Sequence, residues 1–413
     1  MQSFGVGTEP LKESRDFRLL WLAALPGGLA MGAAGLAVFV QAYELTGSPA
    51  AVGAFGLVQF AAMLAGVVGG SAIVDHVDRK RLLLLTQVGF GLSAFVLMCG
   101  SLIGDPPLAL LYVASGIGSA LASLHFPTRS AMITPIVEPG VLTTAMTLEV
   151  AVWNATMIAG PIIGGGALAA FGLPGVYALS AGCHAISAFT MLRLEPQKPP
   201  PKANIEALGK AAIRGGVACL RPRPVLRAIL WTDLIAMVLA MRRSLFPVLA
   251  VEQFHSGPEV VGLLMAAMPA GALVVSLTGN WLANIRRQGL WVILAAALWG
   301  IAMAAFGLSG DRLWLAMLLL AVAGGAHIVA AILRGTIIHR EVPPDVRGRV
   351  WGINFLVLNG GPRLGDLTGG LAATWWSPTA SVVGGGLAAL AGVGLYTMMA
   401  PALLRHSRHE EDR

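Results

Sequence analysis

The amino-acid sequence predicts an all-α membrane protein with twelve transmembrane helices in two six-helix pseudo-repeats. Three observations predict this fold class: the composition, the spacing of long apolar runs and a similarity between the two halves of the chain. Apolar residues make up 56% of the 413 residues, and charged residues make up only 12%. A soluble protein carries about 25% charged residues, so this chain lacks the charge to coat a surface in water.

Twelve apolar runs are long enough to cross a bilayer, which needs about 20 apolar residues per helix. Turn signals such as GDPP, FGLPG and HSGPE separate them. The predicted spans are residues 17–43, 50–74, 82–103, 107–133, 141–170, 173–194, 224–251, 259–283, 288–309, 312–338, 346–374 and 378–404.

One long polar segment, residues 195–223, separates the first six spans from the last six. Its run of prolines predicts a linker, and its IEALGKAAIRGGVACL stretch predicts a short amphipathic helix on the membrane face. We therefore predict an N-terminal six-helix bundle (1–194), a cytoplasmic linker (195–223) and a C-terminal six-helix bundle (224–413).

The two halves of the chain resemble each other. The stretch VGAFGLVQFAAMLAG from Val52 aligns with VGLLMAAMPAGALVV from Val261, and further on Arg129 falls on Arg334. Two six-helix halves related in this way are typical of secondary transporters, whose substrate site lies between the repeats near the bilayer midplane.

Lysine and arginine predict the orientation, because cytoplasmic loops are enriched in both. On one side, only Arg312 stands out among the loops. The bases of the other side are Lys12, Arg15, Arg18, Arg79, Lys80, Arg81, those of the linker, Arg286, Arg287, Arg340, Arg347, Arg349, Arg405, Arg408 and Arg413. We expect a multi-pass protein of the inner (plasma) membrane with both termini in the cytoplasm. The net charge of +7 then faces the inner membrane surface, so nucleic acid is not an expected partner.

A charged turn lies between the second and third spans, in the stretch GSAIVDHVDRKRLLLLT. Together with the twelve spans and the repeat, this turn resembles that of the major facilitator superfamily. The family's motif at this turn is G-x-x-x-D-[RK]-x-G-R-[RK]. Asp75, Arg79 and Lys80 are in register with that motif, whereas Ser71, His76 and Asp78 depart from it.

The resemblance implies that this turn latches the cytoplasmic side of the transporter. The latch residues would be Asp75, Asp78, Arg79 and Lys80, with Asp75 facing the eleventh span and the turn at Arg347–Arg349. The alternative is that the three bases only anchor the turn inside by their charge.

The fifth span contains Gly160-Pro161-Ile162-Ile163-Gly164-Gly165. This stretch resembles the G-P-x-x-G-G motif that accompanies proton-driven export in the superfamily, although Thr156 occupies the position of the motif's upstream glycine. The alternative is a glycine-rich helix-packing face without meaning for the direction of transport.

Further markers resemble the siderophore-exporter branch of the superfamily. They are D-x-x-D-R-K in the charged turn, the run from Arg243 to Pro247, and VGLLMAAMPAGA in the eighth span. The resemblance implies a proton-coupled exporter that moves a siderophore-like or other amphipathic metabolite by alternating access. Multidrug or macrolide efflux is the alternative, and a non-transporting membrane protein is the third hypothesis. We expect a monomer whose partners are the bilayer, a small molecule and protons, with no enzymatic activity, cofactor or metal site.

Charged residues within predicted spans are candidate functional groups, because each costs about 2.5–3.5 kcal/mol on insertion scales. Glu149, Asp233 and Asp366 are the candidate proton-coupling acids. Glu149 is the first choice, since its own helix offers no base within one turn. Arg363 lies three residues before Asp366, so a structural ion pair is an equally good interpretation there.

The predicted substrate-binding residues are Arg242 and Arg243 in the seventh span and Trp153 in the fifth. Guanidinium groups bind oxyanions in bidentate fashion and stack on aromatic rings, and an indole ring can stack on a flat substrate. The competing interpretations are an ion pair with an acid of another helix, and a core tryptophan. His125, His184 and His327 are interpreted as packing or hydrogen-bonded histidines.

Overall fold

A computed structural model describes residues 7–74, 77–197 and 210–405, and their regular secondary structure is entirely helical. The chain divides into two compact units. The first unit comprises Met1–Gln41 and Ala61–Ala207, and the second comprises Ala42–Phe60 and Leu208–Arg413. The predicted boundaries at residues 194 and 224 stay predictions; the observed division also places residues 42–60 in the second unit.

The described residues before the linker form six helices, of which α2 and α3 contribute residues to both units. They are α1 (Glu9–Glu13), α2 (Arg15–Thr46), α3 (Pro49–Val74), α4 (Arg79–Ile103), α5 (Leu108–Ile136) and α6 (Leu142–Leu192). A short 3-10 turn, Pro139–Val141, leads into α6.

Helix α6 folds back on itself. Its 51 residues would extend roughly 77 Å if straight, more than twice the ~30 Å hydrocarbon core. Near its beginning, the carbonyl of Leu148 accepts a 3.0 Å hydrogen bond from Trp21, and just beyond its end the Glu195 N–H donates to Asp16 at 3.2 Å. Both partners lie at the start of α2, so both ends of α6 lie at the same end of the unit. The reversal occurs at Gly172, whose φ of +66° is left-handed backbone that favours glycine.

The described residues from Lys210 onward form nine helices of the second unit, the first of which lies in the predicted linker. They are α7 (Lys210–Leu220), α8 (Pro224–Ala240), α9 (Phe246–Glu252), α10 (Pro258–Thr278), α11 (Gln288–Gly307), α12 (Leu313–Glu341), α13 (Pro344–Trp375), α14 (Pro378–Met399) and α15 (Ala402–Arg405). The predicted seventh span is therefore broken: α8 ends at Ala240, and a 3-10 turn, Arg243–Leu245, precedes α9.

Ten helical segments of the described residues are long and apolar enough to cross a membrane. One of them, Pro139–Leu192, contains the reversal at Gly172 and so provides two crossings. Helix α13 has 32 residues, ample length for a crossing, but it is less apolar than the helices of this set and is not among them. These observations show a multi-pass helical membrane protein. The count of twelve crossings stays a prediction, because it requires α13 to be one of them.

Equivalent positions of the sequence repeat make equivalent contacts in the two units. In the first unit Gly160 of α6 packs against Gly32 of α2, so closely that a Cβ at Gly160 would lie 3.1 Å from the Gly32 Cα. In the second unit Gly365 of α13 packs in the same way against the backbone at Met237 of α8. Small residues permit this close approach of helices, which the hydrophobic effect does not drive within a bilayer.

The amphipathic helix predicted in the linker is present as α7, although residues 198–209 lie outside the described part of the chain. Helix α7 packs on α13 through two glycines: Gly215 lies against the side chain of Arg349, and Gly216 lies against Ile353. The two glycines of α7 therefore let this helix pack closely on the first half of α13.

Candidate functional site

Three ion pairs with at least one buried member are present among the described residues, and each contains one of the predicted coupling acids. The acids are Glu149 of α6, Asp233 of α8 and Asp366 of α13. In each case the base lies on a different segment from the acid: Arg129 on α5, Arg334 on α12 and Arg243 in the 3-10 turn after α8. Pairing of this kind is the usual way in which charges are tolerated at membrane depth.

Glu149 is held in a two-point contact with Arg129 of α5. Arg129 Nε donates to Oε1 of Glu149, and Arg129 Nη2 donates to Oε2 at 2.9 Å. Nη2 also donates to the carbonyl of Leu20 in α2, at 2.9 Å. The Arg129 side chain is 7% exposed and that of Glu149 is 22% exposed. The pair thus joins α2, α5 and α6. Helical spacing considers a base only within one turn of Glu149 on the same helix, so it could not identify Arg129.

Asp233 forms its ion pair with Arg334 of α12, with 2.5 Å between Oδ1 and Nη1. This pair is deeply buried, since the side chain of Asp233 is 6% exposed and that of Arg334 is 2% exposed. The second carboxylate oxygen, Oδ2, has no hydrogen-bond partner. Contact with Arg334 is therefore one-sided, unlike the two-point contact of Glu149.

Asp366 holds the second half of the broken seventh span. Its Oδ1 accepts the Ser244 N–H at 2.9 Å, and its Oδ2 accepts from Arg243 Nη2 at 3.1 Å. The Asp366 carbonyl also accepts from the Ser244 hydroxyl at 3.0 Å. A carboxylate at the N-terminal end of a helical segment satisfies its free N–H groups and its positive dipole end.

Arg242 holds the first half of the same span. It is 5% exposed and donates to the carbonyls of Leu239 (2.6 Å) and Gly365 (3.1 Å) and to the Thr368 hydroxyl (2.8 Å). The Thr368 hydroxyl in turn donates to the Val238 carbonyl at 2.8 Å. The carbonyls freed by the break are thereby satisfied within the protein, as non-helical backbone at membrane depth requires.

Positive charge is in surplus at this break. Arg242 and Arg363 both lie within electrostatic range of Asp366, and Arg243 contacts it. Arg363 also donates to the carbonyl of Asn359. Among the described residues, Arg242 and Arg243 of the broken span thus share the one carboxylate of Asp366, a surplus of one positive charge. Arg243 is the accessible member, because its side chain is 35% exposed. Its Nε is buried and has no hydrogen-bond partner.

The charged turn is described from Val77 onward, so the predicted latch acid Asp75 lies outside the described residues. Asp78 caps α4, accepting the Arg81 N–H at 3.1 Å. Arg79 Nη1 donates to the carbonyl of Ala131 near the end of α5, at 2.8 Å, and its N–H donates to Gln197 at 3.0 Å. These bonds tie together three chain segments at one end of the first unit. Lys80 follows in the first turn of α4, and the latch itself stays a prediction.

The predicted packing motif and stacking residue lie on α6. Gly160 and Gly164 face Gly32 and Ala33 of α2. Trp153 is 40% exposed, and its ring meets that of Phe126 edge-on with 4.9 Å between the ring centroids. An exposed indole face is thus available on this helix.

The three histidines are held by aromatic and hydroxyl neighbours. His125 Nδ1 lies 2.8 Å from the Thr86 hydroxyl, and Phe90 contacts the rings of both His125 and His184. His327 lies against Trp299, with 5.4 Å between ring centroids.

Sequence reasoning did not identify the bases Arg129 and Arg334 as the partners of the intramembrane acids. A signal was nevertheless present, because the repeat alignment places these two arginines on each other. A basic residue that recurs at the same position of both repeats, within apolar spans, indicates a buried charge that needs an acid.

Helices of this length and composition, with internal repeats and buried ion pairs, define a multi-pass membrane transporter. The chain belongs to the Major Facilitator Superfamily, whose family model matches residues 20–365 and 234–413. This match confirms the resemblance seen in the sequence and the interpretation as a transporter rather than an enzyme.

Curated relatives share almost the full length of the chain. The Enterobactin exporter EntS of Citrobacter koseri is 29% identical over 411 residues, which cover 98% of this chain and 97% of the relative. The Enterobactin exporter EntS of Escherichia coli (strain K12) is 29% identical over 410 residues, with the same coverage.

Solved structures share the fold. The nucleoside transporter NupG superposes with a TM-score of 0.74 at 14% identity and covers 94% of this chain and 98% of its own. A bacterial homologue of the iron transporter ferroportin, in an inward-facing state, superposes with a TM-score of 0.69 at 15% identity, covering 95% and 99%. At these identities the likeness concerns the fold alone.

Proposed function

We propose that this transporter exports a siderophore-like, anionic or amphipathic metabolite by alternating access, and that inward movement of protons drives the export. Two observations support export of this kind of cargo: the curated relatives are enterobactin exporters over 98% of the chain, and α6 carries the Gly160–Gly165 motif. The observation that carries the proposal is the surplus of positive charge at the break of the seventh span.

Arg243 is the proposed contact for an anionic group of the cargo. Its partner Asp366 occupies one guanidinium nitrogen, Nη2, while Nε has no hydrogen-bond partner. The side chain is nevertheless 35% exposed, so a carboxylate or catecholate could bind its accessible N–H groups through charge-assisted hydrogen bonds. Trp153 is proposed to stack on a flat part of the cargo.

Proton coupling is the second part of the proposal. Each of the three intramembrane acids is neutralised by an arginine, and protonation of such an acid would release its base. Transport into proteoliposomes tests both parts together: we expect an imposed pH gradient to drive accumulation of a catechol siderophore. Accumulation of a macrolide but not of the siderophore would favour multidrug efflux, and accumulation that ignores the gradient would contradict proton coupling.

Arg243→Ala should weaken binding of an anionic cargo selectively. A suitable pair of ligands is a linear catechol siderophore with a free carboxylate and the methyl ester of the same molecule. The variant should bind the carboxylate form about tenfold or more weakly, since a hydrogen bond to a charged group contributes ~1.5–3 kcal/mol. Binding of the ester should change little.

Ligand-induced stabilisation against heat measures both affinities on the purified variant. Arg312→Ala is the matched control, since it removes an exposed arginine elsewhere in the same unit. Equal weakening for both ligands, together with a lower melting temperature, would mean that Arg243 serves only as the structural partner of Asp366.

We propose further that both termini and the linker face the cytoplasm, because nearly all loop lysines and arginines fall on one side. In a variant without Cys99, Cys183 and Cys219, a cysteine placed at Lys202 should resist an impermeant thiol reagent in intact cells. A cysteine placed at Arg312 should react. The opposite labelling pattern would invert the proposed topology.

A further inference from the structure

The two units provide repeat-equivalent arginines with different acids. Arg129 pairs with Glu149 of α6, and the position of the second repeat that corresponds to Glu149 is occupied by Asn354, which is 2% exposed. Arg334 has instead recruited Asp233, from α8. The arginine therefore occupies equivalent positions in the two repeats, whereas its acidic partner lies on non-equivalent helices.

The two pairs also differ in how completely the acid is bound. Both oxygens of Glu149 accept from Arg129, so this carboxylate is fully engaged. Asp233 uses only Oδ1, and its Oδ2 is buried without a hydrogen-bond partner. A buried carboxylate oxygen without a donor is costly as an anion, so Oδ2 is a place at which a proton can bind.

A second titratable group, His327, lies within electrostatic range of this pair. His327 is two helical turns before Arg334 on α12, and its ring lies within electrostatic range of both Asp233 and Arg334. On its other side is Trp299 of α11, whose indole Nε1 is buried and has no hydrogen-bond partner. This region therefore combines a carboxylate, an imidazole and a guanidinium with polar atoms that no protein group satisfies.

The other helices packed against α8 place their charges elsewhere. On α13, Asp366 and Arg363 lie at the level of Arg243, beyond the helix break. On α14, Tyr396 lies within electrostatic range of Arg227, near the beginning of α8. The groups shown to contact Asp233 or to lie within electrostatic range of it are Arg334 and His327, both of α12.

We infer that Asp233 and His327 form a proton-binding pair in the second unit and that Asp233 is the acid whose protonation is coupled to transport. A proton that adds to Asp233 Oδ2 makes the carboxyl neutral and weakens its hold on Arg334. Transfer of this proton to an unprotonated ring nitrogen of His327 restores the carboxylate and the ion pair. The inference rests on the proposed proton-coupled function and locates it at one site, in preference to the fully engaged Glu149.

Infrared difference spectroscopy on the purified protein tests the site without any cargo. The pH is lowered from about 8 to about 5, the range in which histidine titrates. Over this change the wild type should gain the C=O stretching band of a protonated carboxyl group. Asp233→Asn should lose this band, and Glu149→Gln, the matched control, should retain it. His327→Gln should shift the pH at which the band appears, because it removes the group that shares the proton.

Asp233→Asn leaves Arg334 without its anion and could fail to fold, so Asp233→Asn combined with Arg334→Gln is the second variant; it too should lack the band. A band that persists in either folded variant, or that disappears in Glu149→Gln instead, would overturn the inference, as would a wild type without a band. Gradient-driven transport by the wild type reports separately on the proposed function. If wild-type transport ignores the gradient, proton coupling fails; if it responds and folded Asp233→Asn responds equally, only the site is wrong.

Discussion

Arg129→Met should lower the free energy of unfolding by about 3 kcal/mol, the low end of the range for removing one partner of a buried ion pair. The low end applies because Glu149 is 22% exposed and keeps some access to solvent. The substitution removes both hydrogen bonds to Glu149 and the bond to the Leu20 carbonyl, so α2, α5 and α6 lose a shared contact. Reversible unfolding of the purified protein in detergent, followed by circular dichroism, measures the change.

Two comparisons make this result specific. Arg129→Met combined with Glu149→Gln removes both charges and should recover much of the lost stability, because no unpaired buried charge remains. Arg312→Met removes an exposed arginine and should change the free energy of unfolding by no more than about 0.5 kcal/mol. If Arg129→Met unfolds like the wild type, the pair contributes nothing to stability and the Leu20 contact is incidental.

Asp366→Asn should abolish most transport while the protein still folds. Asparagine can still accept the Ser244 N–H through its side-chain oxygen, so the cap of the 3-10 turn survives. The negative charge does not survive, and Arg242, Arg243 and Arg363 then face one another without it. Removing one member of a buried, hydrogen-bonded charge pair costs about 2–5 kcal/mol, which should hold the broken span in altered conformations. Proteoliposome transport and thermal unfolding, measured on the same preparation, check both parts of this expectation.

The matched control is Asp311→Asn, which neutralises an exposed acid just before α12 and should leave transport unchanged. Asp366→Asn combined with Arg243→Gln then separates two roles of the carboxylate. Recovery of transport in the double variant would mean that Asp366 only neutralises Arg243. Continued loss would mean that the negative charge itself is needed at the break. Undiminished transport by the single variant would contradict the proposed importance of this site.

The family was predicted from the resemblance of the charged turn, the spans and the repeat to those of the superfamily. Composition and the spacing of apolar runs were enough to predict the helical membrane fold and the polar segment between the two sets of spans. These properties follow from local sequence, because a helix that spans a bilayer must be long and apolar and satisfies its backbone hydrogen bonds within itself. The repeat was equally visible: the residues that align in sequence, Gly160 with Gly365, pack on equivalent helices in the structure.

The partners of the charged residues were decided by the tertiary structure. Helical spacing compares residues on one face of one helix, so it drew attention to Arg363 as a neighbour of Asp366 and found no base for Glu149. The observed contacts are Arg243 with Asp366 and Arg129 with Glu149, and both depend on which faces of separate segments meet. No local rule determines that meeting.

The break in the seventh span has the same origin. Glycine and proline are the residues that commonly interrupt a helix, and neither occurs at positions 241 and 242, which are Met241 and Arg242. The local sequence therefore predicts a continuous helix. In the structure Arg242 donates hydrogen bonds to carbonyls of α8 and α13, and Asp366 accepts a hydrogen bond from the Ser244 N–H. Only when α13 packs against α8 are these donors and acceptors available, and their bonds replace those that a continuous helix would have made.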